Sequence, residues 1–158
     1  MVTAFKGLDV LAFAIEVEKN GRDFYKAMVE RINDQKTKEL FLSLAQEEEK
    51  HIVDFESLLD KASGNEPAES YQGEYMDYVK ALADNHVFSK DINVTKLANN
   101  VNSSEDALDL ALRFEKDSIL FFTELRRVVF SSGQSIIDEL IQQEHDHILT
   151  IVNLKNQL

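Results

Sequence analysis

The sequence predicts an all-α fold: a four-helix bundle of two antiparallel hairpins joined by a long crossover that contains a short helix. The chain has one proline and five glycines in 158 residues, so long stretches are free of residues that interrupt helices. Four segments carry apolar residues at alternating spacings of three and four, the pattern of a helix with one buried stripe. The pattern of the first two segments recurs in the last two, so we expect the two hairpins to resemble each other.

We expect residues 1–158 to form a single domain, because this length supports one substantial hydrophobic core. The first hairpin is predicted over residues 8–61, the crossover over residues 62–103 and the second hairpin over residues 104–156. One long connection between two hairpins distinguishes this arrangement from a simple up-and-down bundle.

The first hairpin is predicted to contain one helix over residues 8–33 and a second over residues 36–61. Asn33 and Asp34 lie between them, and their side chains can end the first helix and cap the second.

The crossover begins with the clearest linker, residues 62–73, which contains Pro67 and two glycines. A short amphipathic helix follows, and four residues share one of its faces: Tyr71, Tyr75, Tyr78 and Leu82. We expect these tyrosines to pack against the bundle rather than to relay electrons. The rest of the crossover is rich in Asn and Asp and is predicted to be irregular.

The second hairpin is predicted to start its first helix at Ser103 or Ser104, either of which can cap it, and to continue to about Phe130. The Ser-Ser-Gly sequence at 131–133 is a tight break, and the last helix then ends near Asn156.

Six ionisable residues take positions in the four predicted buried stripes, near the middle of each helix: Glu18, Glu48, His51, Glu115, Glu144 and His147. The Glu-x-x-His pair of the second helix recurs in the fourth helix, and the first and third helices each add one glutamate. The spacing of three places each carboxylate and its imidazole on adjacent turns of one face. The six side chains are therefore predicted to converge in the core.

Four carboxylates in an apolar core require positive charge beside them. An unpaired buried carboxylate costs at least several kcal/mol, roughly the stability margin of a domain of this size. A glutamate from each of two helices, with Glu-x-x-His from each of the other two, is the ligand set of di-iron and di-manganese bundles. The pattern therefore predicts a dinuclear metal site. The alternative is a polar network of protonated carboxyls hydrogen-bonded to the histidines, in which every group must be satisfied.

Tyr25 lies two turns from Glu18 on the same face and is the one candidate catalytic residue. It is interpreted as a core aromatic whose hydroxyl can touch a ligand or donate an electron. His145 points about 100° away from Glu144 and is expected in solvent. His86, in the crossover, is expected at the surface rather than among the ligands.

The third helix is more apolar than one buried stripe requires. Seven residues contribute to this excess: Ile119, Leu120, Phe121, Phe122, Val128, Val129 and Phe130. We expect an exposed apolar face on this helix to meet a second copy of the chain, which predicts a homodimer.

The composition limits the partners and the ligand types. A formal net charge of −12 argues against binding to nucleic acid or to an anionic membrane. The sequence lacks a run of about eighteen apolar residues, so no membrane span is expected. Its start lacks the apolar core of a signal peptide, which favours a cytoplasmic location. Without cysteine, any metal must be bound by oxygen and nitrogen.

Segments of both hairpins resemble the rubrerythrin branch of the ferritin-like superfamily: EVEKNGRDFY at 16–25, LAQEEEKHI at 44–52, FEKDSILFF at 114–122 and EHDH at 144–147. The resemblance covers nearly the whole chain apart from the crossover. It implies a ferritin-like bundle with two iron ions per chain, for which manganese or zinc could substitute. By this resemblance Glu48 and Glu144 bridge the metals, Glu18 and Glu115 are terminal ligands, and His51 and His147 each add a nitrogen.

The chain departs from full-length rubrerythrins in two respects. Those proteins carry a rubredoxin module with four cysteines, and this sequence has no cysteine. Their third helix also has a second ligand glutamate one turn from the first. The positions one turn from Glu115 are here Ala111, Leu112, Ser118 and Ile119.

The resemblance implies a non-haem di-iron oxidoreductase that oxidises ferrous iron or reduces peroxide or dioxygen, with an unknown electron donor. The alternative is a non-catalytic iron or manganese binder that stores or delivers metal. A purely structural bundle is the third hypothesis, and metal analysis of the purified protein would test it.

Overall fold

A computed structural model describes residues 7–63, 73–89 and 91–158, and no strand occurs in these ranges. The helices follow in the order α1 (Gly7–Arg31), α2 (Gln35–Ser63), α3 (Gly73–Asp84), α4 (Val94–Asn99), α5 (Ser104–Val128) and α6 (Gln134–Lys155), with a 3-10 turn at Ser131–Gly133. The all-α prediction is confirmed. None of the described helices is long and apolar enough to cross a lipid bilayer.

The four long helices enclose one core. Helix α1 packs along α2, and α5 packs along α6; the two pairs meet where α1 touches α5 and α2 touches α6. The shorter helices lie outside this bundle, α3 against α5 and α4 against α1. Side chains that face inward at the middle of the long helices are therefore surrounded by protein.

The ends of the long helices follow from local capping. Asp34 Oδ2 accepts hydrogen bonds from the Thr37 amide at 2.9 Å and from the Thr37 hydroxyl at 2.6 Å, which starts α2. Ser103 Oγ accepts from the Asp106 amide at 3.0 Å, which starts α5. Both capping residues were among the sequence candidates.

The crossover differs from the prediction in its second half. The Asn-rich segment that was expected to be irregular contains α4, because Asn93 Oδ1 accepts the Lys96 amide at 2.9 Å and caps this helix. Ser63 still belongs to α2, so the predicted linker starts later than expected. Pro67 lies outside the described residues, and so does Tyr71.

The tyrosine face of α3 packs only in part. The Tyr75 hydroxyl donates to Glu124 Oε2 on α5 at 2.6 Å. Tyr78 is 47% exposed, so the expectation that it packs against the bundle holds only in part. It borders a surface pocket that Asp117 and Leu120 of α5 also line.

The expectation that α5 has an exposed apolar face is wrong. Four of its seven residues are buried within the chain: Phe121, Phe122, Val128 and Val129. The ring of Phe121 lies 5.5 Å from that of Phe13 on α1, and Phe122 lies 5.0 Å from Phe55 on α2, measured between centroids. Helix α5 is apolar on more than one face because it packs against α6, α1 and α3. Leu120, at 48% exposed, is left at the surface, and the homodimer stays a prediction.

Gly21 allows α1 to approach α5 closely. A Cβ atom built at Gly21 would lie 2.4 Å from Cζ of Phe114. That ring is fully buried and is fixed by Tyr25 and Phe88, with centroid distances of 5.7 and 4.8 Å. The clash can therefore be relieved only if this packed ring shifts or the two helices move apart.

We expect Gly21→Ala to lower the free energy of unfolding by about 1–3 kcal/mol, the usual cost of overpacking. Alanine favours a helix over glycine by about 1 kcal/mol, so a net loss would show that packing dominates. Urea unfolding of metal-free protein measures this. Gly21→Ala with Phe114→Leu should recover part of the loss, and a single variant as stable as wild type would contradict the close packing.

Candidate metal centre

The six predicted residues meet at the centre of the bundle. Each long helix contributes: Glu18 from α1, Glu48 and His51 from α2, Glu115 from α5, and Glu144 and His147 from α6. Five of these side chains are fully buried, and His147 is 8% exposed. They face inward because each occupies a position in the apolar stripe of its helix.

The six residues form two overlapping groups of possible metal ligands. One group is Glu18, Glu48, His51 and Glu144; the other is Glu48, Glu115, Glu144 and His147. Within each group the ligand atoms lie within 4.8 Å of one another. Glu48 and Glu144 belong to both groups, and this is the position that a bridging carboxylate requires.

The imidazole of His51 presents Nδ1 to three carboxylates. This atom lies 3.0 Å from Glu18 Oε2 and 3.2 Å from both Glu48 Oε2 and Glu144 Oε1. A ring nitrogen carries at most one hydrogen, so Nδ1 can donate to only one of the three. The cluster therefore holds more acceptors than this histidine can satisfy.

His147 has the same orientation towards the cluster. Its Nδ1 lies 2.9 Å from Glu144 Oε2 and 3.4 Å from Glu115 Oε2. The rings of His147 and His51 stack with centroids 5.7 Å apart and planes 23° apart. Both histidines thus direct the same ring nitrogen at the carboxylates.

Burial and mutual repulsion give the carboxyls unequal acidity. Burial, reinforced by the neighbouring carboxylates, raises the pKa of Glu48 and Glu115 well above the ordinary value of 4.5. Burial also raises the pKa of Glu18. Burial opposes ionisation of Glu144 as well, but hydrogen bonding to Glu115 and the charge of His51 outweigh it and lower the pKa of Glu144.

The nearby carboxylates favour the protonated form of both histidines. Burial disfavours the charged imidazolium, but Glu144 and Glu48 outweigh it and raise the pKa of His51 well above 6.5. Contacts with Glu115 and Glu144 likewise overcome burial and raise the pKa of His147 to about 11. In the metal-free protein, protons therefore balance the charge of the carboxylates.

Four buried oxygens of the cluster lack a hydrogen-bond partner among the described residues: Glu18 Oε1, Glu48 Oε1, Glu48 Oε2 and Glu144 Oε1. A buried acceptor without a donor typically costs about 1–3 kcal/mol, and more when it is charged. All four oxygens belong to glutamates of the two ligand groups. Oxygen and imidazole nitrogen also suit iron and manganese, so the residues fit a pair of divalent ions.

Tyr25 is both a core aromatic and a neighbour of the cluster. Its hydroxyl donates to Glu115 Oε1 at 2.6 Å, and its ring lies among Phe24, Phe41 and Phe114. Burial, with the nearby negative charge of Glu115, raises the pKa of Tyr25 well above 10.0. The phenol therefore stays protonated and orients one oxygen of Glu115.

His86 contradicts the expectation that it lies at the surface. It is only 4% exposed, because the crossover folds back onto α5. Its Nδ1 accepts the Phe88 amide at 3.0 Å, so Nε2 carries the hydrogen and donates to Ser118 Oγ at 3.2 Å. Burial lowers the pKa of His86 to about 3, and the ring is neutral. His145 is exposed, as predicted.

Gln143 is a neighbour of the cluster that the sequence patterns missed. Its Oε1 lies 2.8 Å from Nε2 of His51. Gln143 lies beside the apolar stripe of α6 rather than within it, so helix periodicity does not identify it as a site residue. Its place immediately before Glu144 was the available signal.

The comparisons with known proteins agree with this geometry. The family model described as rubrerythrin matches residues 9–155. A solved structure from Thermotoga maritima, described as a ferritin-like diiron-carboxylate protein, is similar to this chain with 25% sequence identity and a TM-score of 0.72. The match covers 99% of this chain and 98% of that one, and it confirms the ferritin-like fold. No curated protein matches the sequence.

Proposed function

The chain belongs to the rubrerythrin family, and on that premise we propose that it is a non-haem di-iron oxidoreductase that oxidises ferrous iron or reduces peroxide or dioxygen. The observation that carries this proposal is the pair of four-residue groups that share Glu48 and Glu144. One shared centre with two sets of ligands suits two metal ions held close together.

Each half of the cluster would hold one ion. Glu18 and His51 belong to one half, Glu115 and His147 to the other, and Glu48 and Glu144 would serve both. Two ferrous ions, when bound, supply two electrons, the number that converts hydrogen peroxide to water. Manganese or zinc could occupy the same oxygen and nitrogen ligands.

The residues of the cluster release protons when metal binds, and their burial excludes water. Metal binding must displace protons from Glu48, Glu115 and both imidazoles, because their pKa values are raised in the metal-free protein. The Tyr25 hydroxyl keeps Glu115 oriented at 2.6 Å. Five of the six cluster side chains are fully buried, so the site is shielded from bulk solvent.

Oxidation of ferrous iron tests the proposal. We expect protein loaded anaerobically with two equivalents of Fe²⁺ to oxidise it more than about tenfold faster than free Fe²⁺, a barrier lowered by roughly 1.4 kcal/mol. The preorganised carboxylates favour the rise in positive charge. Stopped-flow absorbance after mixing with peroxide or dioxygen measures the rate. Repeated turnover should require an added electron donor.

A variant with both shared glutamates replaced by alanine is the control for this experiment, since it should oxidise iron at the background rate. If wild-type protein binds two ions but oxidises them no faster than free iron, the oxidoreductase proposal is wrong. The chain would then be a metal store or carrier.

A further inference from the structure

Gln143 links α6 to the histidine of α2. Its side-chain oxygen lies 2.8 Å from Nε2 of His51, the ring nitrogen that faces away from the carboxylates. His51 is fully buried, and Gln143 is partly buried. The contact therefore lies at the edge of the cluster, on the side opposite its metal-facing atoms.

The two nitrogens of His51 must play different roles if the ring binds a cation. Nδ1 faces the carboxylates at 3.0–3.2 Å, so it is the atom that would bind metal, and it must then carry no hydrogen. Nε2 must carry the hydrogen, and a buried N–H needs an acceptor. Gln143 Oε1 supplies this acceptor.

The second histidine is held differently. Among the residues that the structure describes, no hydrogen bond reaches Nε2 of His147. The position that corresponds to Gln143 in the first hairpin is Glu47, whose carboxylate pairs with Lys50 Nζ at 2.7 Å. The two halves of the cluster therefore differ in the residues that contact the outer nitrogen of each histidine.

We propose that Gln143 is a positioning residue that fixes the ring of His51, with Nε2 protonated and Nδ1 directed at the cluster. Outer partners of this kind hold a ligand ring in one tautomer and orientation, and their loss typically lowers metal affinity about 10–100-fold. The effect falls on the ion held by Glu18 and His51. The inference rests on the proposed function only in that the cluster binds metal.

Two variants separate hydrogen bonding from packing. Gln143→Leu keeps much of the side-chain volume but removes the acceptor, whereas Gln143→Glu keeps an acceptor oxygen. Gln142→Leu is the matched control, because the neighbouring Gln142 is exposed and makes only a 3.5 Å contact with Asp146. Thermal melts establish that each variant is folded.

Zinc titration and NMR of the full chain supply the readouts. We expect Gln143→Leu to weaken binding of one of two Zn²⁺ ions about 10–100-fold, and Gln143→Glu and Gln142→Leu to bind both normally. In ¹⁵N-histidine-labelled protein, the Nε2–H signal of His51 should be sharp in wild type and Gln143→Glu. It should exchange with solvent in Gln143→Leu, while His147 signals stay unchanged.

Three results would overturn the assignment. Equal zinc affinity in Gln143→Leu and wild type would refute it, and so would an unchanged His51 signal in that variant. Equal weakening by Gln143→Leu and Gln143→Glu would indicate packing rather than hydrogen bonding. A wild-type chain that binds no zinc, iron or manganese would instead refute the metal centre itself, and the inference with it.

Discussion

Replacing both Glu48 and Glu144 by alanine is expected to abolish binding of both metal ions. The two carboxylates belong to both groups of candidate ligands, so each ion would lose two of its four protein ligands. Loss of even an outer partner lowers metal affinity about 10–100-fold, so we expect more than about a hundredfold here for each ion. Metal analysis after anaerobic loading with Fe²⁺ and desalting measures the loss.

The variant should still fold, because the two glutamates and two histidines that remain can form two carboxylate–imidazolium pairs. Glu18 stays beside His51 at 3.0 Å, and Glu115 stays beside His147 at 3.4 Å. A second variant, with glutamine at both positions, keeps the side-chain volume. The matched control is Glu49→Ala with Glu139→Ala, which removes two exposed carboxylates from the same helices and should bind two ions. A Glu48 and Glu144 variant that retains two ions would refute the shared-ligand arrangement.

The position of the cluster could be predicted because it depends on helix periodicity and on the packing of two similar hairpins. In a helix, residues three and four apart share a face, so Glu48 and His51 were expected inside as soon as their neighbours were seen to be apolar. Their meeting with Glu115 requires only that hairpins of similar length pack side by side. Tyr25 could be placed near the ligands in the same way, but periodicity could not show which glutamate its hydroxyl touches.

Features that depend on how the crossover folds could not be predicted. His86 is buried because residues after α3 return to α5, and no local pattern encodes that return. Asn93 was interpreted as part of an irregular segment, although the same side chain can cap a helix. The apolar excess of α5 was interpreted as a subunit contact, but Phe121 meets α1 instead. Each error concerns which surface covers a side chain, and this is a property of the tertiary fold.

The electrostatics of the metal-free cluster determine how its stability depends on pH. For Glu18, Glu48 and Glu115, the folded pKa is raised, so their stabilising contribution is present below the ordinary value of 4.5. It is lost as the pH rises through the raised folded values. His51 and His147 also have raised pKa values, so they contribute fully below 6.5 and lose this contribution above it.

The lowered pKa of Glu144 acts in the opposite direction, but outside the neutral range. Its contribution is present above 4.5 and is lost only as the pH falls towards its low folded pKa. Metal-free protein should therefore become less stable from about pH 5 to about pH 9, by about 1.4 kcal/mol per pH unit for each proton that only the folded state retains. Metal-loaded protein should instead lose stability as the pH falls, because protons displace the bound ions.

Replacing both Glu18 and Glu115 by glutamine is expected to stabilise the metal-free protein near about pH 8. Two carboxylates and two imidazolium groups then balance without protonated carboxyls, whereas wild type must retain protons on groups that are acidic when unfolded. The gain is about 1.4 kcal/mol for each unit of raised pKa that the substitution removes. The glutamine side-chain oxygens can still accept hydrogen bonds from the Tyr25 hydroxyl and the His51 ring, which lie 2.6 and 3.0 Å from the carboxylate oxygens in wild type.

Urea unfolding in the presence of a chelator measures the free energy of unfolding of both proteins. The difference between the double variant and wild type should shrink towards about pH 5, and the variant should no longer bind metal tightly. Glutamine at the exposed positions 49 and 139 should change neither quantity. If the double variant is instead less stable than wild type near about pH 8, the two glutamates support the fold directly rather than serving metal at the expense of stability.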